Sequence, residues 1–175
     1  FLSDHFAKAV AEVAASNGIP VLLTSKPMPT PAVSFTVKSR RAAGGVVITA
    51  SHNPLIYNGI KFKLEYGGPA PTEVTKDIES LLGKTQPKHD DKKIKKHIRE
   101  LDFETSYIRH VKRLVDLKLI GDAEFRIVFD AMHGAGNKLI ERLLTREGCR
   151  VTTIRGYPDP TFGGVNPEPL AQTLT

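Results

Sequence analysis

A chain of 175 residues has room for one ordinary domain or two small ones, and for a core that folds without disulfide or metal staples. With 40% hydrophobic and 25% charged residues the composition is that of a soluble globular protein; no apolar run approaches the roughly 20 residues that span a bilayer, and no membrane partner is expected. The net charge of +6 lies mostly in Lys84–Arg99, where seven basic side chains meet two acidic ones.

That basic stretch, with Pro87, Asp90 and Asp91 and no aromatic residue, reads as a solvated linker. Without stacking or base-reading groups it argues against specific nucleic-acid recognition. Cys149 is the only cysteine, so no internal disulfide can form; its place before an apolar strand pattern predicts a small core residue in a reducing, cytoplasmic setting. No signal-peptide pattern opens the chain, and a first residue other than methionine leads us to expect a fragment or a processed form.

In chain order, Ser3 to Asn17 reads as a helix, with Ser3 as its cap, an apolar stripe of Phe6, Val10, Val13 and Ala14, and Gly18 closing it. Ile19 to Leu23 follows as a short strand. Pro27 to Pro31 is a rigid connector, and Pro31 suits the first turn of a second helix reaching about Arg41. Gly44-Gly45 leads into the β-branched strand Val46-Val47-Ile48. Strand, helix and strand in that order predict a crossover unit with a parallel sheet.

Asn58-Gly59 marks a turn into Ile60 to Leu64, where the alternation predicts Ile60, Phe62 and Leu64 on the core face and Lys61 and Lys63 on the other. Thr72 to Leu82 reads as a helix with Val74, Ile78, Leu81 and Leu82 inward. Beyond the basic linker, residues 103 to 118 form an amphipathic helix on Phe103, Tyr107, Val111, Leu114 and Val115. Gly121-Asp122 breaks the chain before the strand Phe125 to Phe129; a helix buries Leu139, Ile140, Leu143 and Leu144; and Arg150 to Ile154 is a further strand. Gly156 to Pro169 is an extended loop. The expected division is residues 1–99 as one domain with its first strand missing and its basic linker, and residues 100–175 as the start of a second.

Two loops carry candidate chemistry. Asp130 to Gly136 joins a strand to a helix, the usual place for a phosphate cradle, but it has neither Gly-x-Gly-x-x-Gly nor Gly-Lys-Ser/Thr. It reads as a structural turn, with His133 a capping or interface residue. Thr49-Ala50-Ser51-His52-Asn53-Pro54 is different. Asn53-Pro54 forces the chain out of the preceding strand and lifts Ser51 into a loop, with His52 adjacent and Lys61 on the next strand. An ordinary strand exit would explain this equally well. A phosphoryl-carrying serine, however, needs cations to hold its phosphate and a base for the incoming hydroxyl, and His52 and Lys61 are of the right kind. No Gly-x-Ser-x-Gly elbow supports a serine hydrolase.

Thr-Ala-Ser-His-Asn-Pro at 49–54 followed by Asn-Gly-Ile-Lys at 58–61 resembles the active-site serine loop of the α-D-phosphohexomutases, the phosphoglucomutase and phosphomannomutase superfamily. Pro29-Thr30-Pro31, Gly67-Gly68-Pro69, the Asp130 turn and Phe162-Gly163-Gly164 through Pro167-Glu168-Pro169 stand in the family's order. The resemblance implies two consecutive mixed-sheet α/β/α domains, both incomplete. It further implies an isomerase moving a phosphoryl group between positions 1 and 6 of a hexose phosphate through a bisphosphate intermediate. Ser51 would be the phosphoserine, Lys61 the general acid or base, its pKa lowered by burial or nearby cations, and His52 a group that steadies phosphate charge. A magnesium ion would bridge the phosphate on Ser51 to carboxylates.

The family's metal loop, Asp-x-Asp-x-Asp-Arg, is not in this sequence, nor are its later sugar- and phosphate-recognition loops. The segment alone is therefore expected to be inactive. A reading from another class is a non-catalytic phosphosugar- or nucleotide-binding module in which Ser51 only donates or accepts hydrogen bonds.

Overall fold

A computed structural model of the protein describes residues 2–173. The chain divides into two compact units: one holds residues 2–49 and 58–103, the other residues 50–57 and residues 104 onward. Each is a mixture of helix and short sheet.

The first unit opens with α1 (Ser3–Ser16), followed by β1 (Val21–Thr24), α2 (Thr30–Arg40), β2 (Gly44–Ile48), β3 (Ile60–Leu64), α3 (Thr72–Glu79), α4 (Asp91–His97) and β4 (Ile98–Leu101). The buried positions of α1 are Ala11, Ala15 and Ser16, while Phe6 and Val13 of the expected stripe are exposed. Small side chains let the helix lie close against β1, β2 and β4. Leu2, in the left-handed region, occupies the cap position expected of Ser3. Gly18, with φ +83°, closes the helix as expected, its N–H donating to the Ala15 carbonyl at 2.8 Å. Pro31 sits in the first turn of α2.

The pairing departs from a simple crossover. β2 pairs antiparallel with β3 over five residues, from Gly44 opposite Leu64 to Ile48 opposite Ile60. The parallel partner of β1 is β4, from Val21 opposite Ile98 to Thr24 opposite Leu101. Both β4 and α4 lie in or beside the stretch read as linker. Asp90 accounts for the helix: its side chain accepts from the N–H groups of Lys92 and Lys93, both at 3.1 Å, a cap worth about 1 kcal/mol. Lys92, Lys95 and Lys96 are exposed, Lys93 Nζ donates to the Ser16 carbonyl at 3.3 Å, and Ile94 is half-buried.

The face assignment of β3 is also corrected. Lys63 stands opposite Gly45, beside Val33 and Val37 of α2, and is half-buried, while Lys61 stands opposite buried Val47 but is itself exposed. A Cβ at Gly45 would come within 2.6 Å of Val37 Cγ2, so glycine there lets the helix approach. Ile60, expected inward, is 55% exposed. Periodicity gives the two faces of a strand but not which one a helix takes. Similarly, α3 stops at Glu79, where Ser80 Oγ donates back to the Asp77 carbonyl at 2.7 Å, leaving Leu81 and Leu82 exposed.

The second unit contains α5 (Phe103–Leu114), α6 (Leu117–Asp122), β5 (Arg126–Asp130), α7 (Leu139–Thr145) and β6 (Arg150–Ile154). The helix expected to run to residue 118 ends at Leu114 because Asp116 starts a new one, accepting from Leu119 N–H at 3.0 Å. Leu114 and Val115 are exposed. Gly121 lies inside α6 rather than breaking the chain before it; a Cβ there would fall 1.7 Å from the Glu147 carbonyl oxygen. β5 and β6 pair in parallel, Arg126 opposite Arg150 through Asp130 opposite Ile154. Leu139 and Leu143 of α7 are buried, as is Cys149, whose Sγ donates to the Ile120 carbonyl at 3.5 Å. Among the described residues no helix is long and apolar enough to cross a membrane.

Candidate functional site

The chain between β2 and β3 is a closed loop. Thr49 N–H donates to the Gly59 carbonyl at 2.9 Å, and a Cβ on Gly59 would lie 3.2 Å from the Thr49 carbonyl oxygen, a tight contact at the base of the loop. Within the loop, Asn53 N–H donates to Ala50 and Tyr57 N–H to Pro54, each at 3.0 Å, making two successive turns. Residues 51 to 57 are exposed, including the apolar Leu55, Ile56 and Tyr57.

Ser51 is held at φ +58°, in the left-handed region where a non-glycine residue costs about 1–2 kcal/mol. Ser51 itself is exposed. His52, next in the same turn, is exposed. Lys61 lies two residues past Gly59 on β3, in the other compact unit, and it is exposed. The structure brings Ser51 and His52 together on one turn and places Lys61 on the strand that receives the loop.

The turn after β5 has a different character. Asp130 accepts from Met132 N–H at 2.9 Å and from Arg155 Nε at 2.8 Å, and a second guanidinium nitrogen of Arg155 completes the pair. Arg155 also donates to the Thr173 carbonyl at 3.3 Å. The hydrogen bond from Arg155 holds the Asp130 carboxyl below the usual carboxylate range, against a smaller opposing effect of desolvation. His133 is 8% exposed. Its backbone N–H donates to the Arg155 carbonyl at 2.8 Å, its Nδ1 to the Tyr157 carbonyl at 3.0 Å, and its ring meets that of Tyr157 edge-on at 4.8 Å. Asp159 caps the following loop, accepting from the Thr161 hydroxyl at 2.7 Å and from the N–H groups of Thr161 and Gly163, and these lower its pKa. His133 is thus packed and hydrogen-bonded against Tyr157. Sequence reasoning missed the Asp130–Arg155 pair. Its signal was an acid ending one strand and a base following the strand parallel to it.

Among the described residues no group of three or more His, Cys, Asp or Glu could hold a metal ion. Ser51 would offer one oxygen, and the residues present do not by themselves fit a magnesium site.

Two family models match the chain: phosphoglucomutase/phosphomannomutase alpha/beta/alpha domain I over residues 1–89, and domain II of the same family over residues 105–175. A phosphoglucomutase/phosphomannomutase of Thermococcus kodakarensis is 35% identical over 150 residues, covering 83% of this chain and 32% of its own length. A phosphoglucosamine mutase of Cronobacter sakazakii is 39% identical over 147 residues, covering 83% of this chain and 32% of its own. A crystal structure from Thermus thermophilus, assigned as a phosphomannomutase, superposes with a TM-score of 0.90 at 37% identity, over 99% of this chain and 39% of that one. The chain spans about a third of the length of the curated relatives it matches.

Proposed function

The chain belongs to the phosphoglucomutase/phosphomannomutase family, and from that premise we propose that it is the phosphoserine-bearing part of a phosphohexomutase. The observation that carries this reading is the closed loop 49–59, which holds Ser51 in an exposed, left-handed turn beside His52. In the full-length protein, phosphorylated Ser51 gives its phosphoryl group to a hydroxyl of a hexose phosphate. The bond from phosphorus to Ser51 Oγ breaks as the bond to the sugar oxygen forms, and the hydroxyl proton leaves to a base, for which Lys61 is the candidate. The bisphosphate then returns the phosphoryl group at its other end to Ser51. His52 offsets phosphate charge.

A magnesium ion belongs to this proposal as a source of charge neutralisation, with its carboxylate ligands supplied from outside these residues. The isolated 175-residue segment is accordingly expected to turn over no hexose phosphate. A cytoplasmic setting is part of the same reading, supported by Cys149 standing as a buried thiol without a disulfide partner.

Phosphopeptide mass spectrometry on the natural full-length protein is the test. Phosphate on the Ser51 peptide that survives denaturation supports the covalent route, and phosphate lost on denaturation would mark a binding module instead. Mutase activity undiminished in Ser51→Ala would sink the proposal.

A further inference from the structure

Taking Ser51 as the phosphoryl carrier, we propose that Asn58 and Ser3 form a positioning pair for the serine loop, fixing the point at which the chain leaves the loop for β3. Asn58 is the only residue from 51 to 60 that is not exposed. Both ends of its amide are engaged. Oδ1 accepts from Gly59 N–H at 3.1 Å, and Nδ2 donates to Ser3 Oγ at 3.0 Å, across 55 positions of sequence. Gly59 N–H can only donate, so it selects the amide oxygen and turns the NH2 group toward the serine hydroxyl.

Ser3 is available for this because it does not cap its own helix. Leu2 occupies the cap position, and no side-chain cap bond is made there. The hydroxyl at the first turn of α1 is instead an anchor for the chain beyond the loop. The next residue, Gly59, accepts the Thr49 N–H that closes the loop, and Ile60 begins β3. Anchor, closure and strand start are therefore consecutive residues. A rotation at Asn58 would shift the Gly59 carbonyl and, through Thr49, the entry to the loop as well.

Phosphoryl transfer depends on alignment of the attacking and leaving oxygens, and displacement by about 1 Å can lower a rate by up to about a hundredfold. Loss of the anchor should therefore appear in turnover more than in substrate binding.

The test uses the full-length protein with Ser3→Ala, Asn58→Ala, the double variant, Ser3→Thr and, as a control, Ser51→Ala. Each is assayed with whichever of glucose, mannose or glucosamine 1-phosphate the unaltered protein turns over fastest. Each single alanine variant is expected to lower kcat by about tenfold with KM held within about twofold. The double variant should be no slower than the singles, and Ser3→Thr, which keeps the hydroxyl, should restore the rate. Normal kcat in Ser3→Ala, additive effects, or a rate loss that merely follows the folded fraction in thermal melts would overturn the positioning pair. If Asn58→Ala does not fold, Ser3→Ala with its threonine rescue decides the matter. An inactive Ser51→Ala beside a fully active Ser3→Ala defeats the pair alone, whereas an active Ser51→Ala defeats the phosphoserine reading beneath it.

Discussion

The loop at 49–59 and the turn at 130–137 are built from similar parts. Each follows a strand, each contains a histidine, and each places non-glycine residues in the left-handed region: Ser51 in the first, Met132, His133 and Asn137 in the second. By residue type the second is the richer, with Asp130, His133 and the neighbouring Arg155. Its polar groups are nonetheless turned inward, onto Arg155, Tyr157 and Thr173. In the serine loop the backbone supplies the closure, and residues 51 to 57 face solvent. Acid, base and histidine in one turn do not identify chemistry; what matters is where their hydrogen bonds go.

Exchanging the readouts between the two regions tests this contrast most severely. Ser51→Ala in the full-length protein should lose turnover by orders of magnitude while stability changes by less than about 0.5 kcal/mol, as for an exposed position. Asp130→Asn should do the reverse. It is expected to lower the unfolding midpoint by several degrees and leave kcat per folded molecule unchanged, as measured by thermal melts beside steady-state kinetics. The pH dependence follows from the depressed carboxyl. Asp130 contributes stability that is fully present above the unfolded carboxylate value of about 3.9 and is lost as pH falls through its lower folded value. Acid unfolding of Asp130→Asn should therefore lack part of the decline seen in the unaltered chain below about pH 4. A large loss of kcat in Asp130→Asn would erase the distinction between the two loops.

How far the sequence disclosed this contrast depends on the kind of interaction. β3 and β6 match their expected bounds because their β-branched and alternating patterns are local. Cys149 is buried as its neighbours implied. The misses are tertiary. Gly121 reads as a breaker until Glu147 is found against it, and Lys63 of β3 reads as part of the outer face until Gly45 admits α2 beside it. α4 and β4 were hidden by charge, since a solvated lysine run resembles a linker unless one knows that Asp90 caps it and that β1 lacks a partner. For the serine loop, motif and spacing marked Ser51, His52 and Lys61. The left-handed turn and the Asn58 anchor depend on contacts that no local pattern encodes.

A smaller effect separates the loops by their glycines. Gly163, at φ +65°, would place a Cβ 3.2 Å from His133 Nε2, so Gly163→Ala adds left-handed strain to a tight contact. It should destabilise by roughly 1–2 kcal/mol, read from the urea midpoint.

The smallest expected effect is at Ser51 itself and tests whether its strain is real. At φ +58° glycine is at ease and alanine is not, so Ser51→Gly should be more stable than Ser51→Ala by about 1 kcal/mol, net of glycine's larger entropy loss on folding. Both should lack turnover, because neither has a hydroxyl to carry phosphate. The comparison therefore isolates backbone conformation from chemistry, since the two variants differ by one methyl group on an exposed residue. Equal midpoints in urea would mean that the turn relaxes when the hydroxyl is removed, and that the serine side chain, rather than the closed base at Thr49 and Gly59, holds the left-handed geometry. A more stable glycine variant would place that geometry in the loop backbone, imposed before any phosphate arrives.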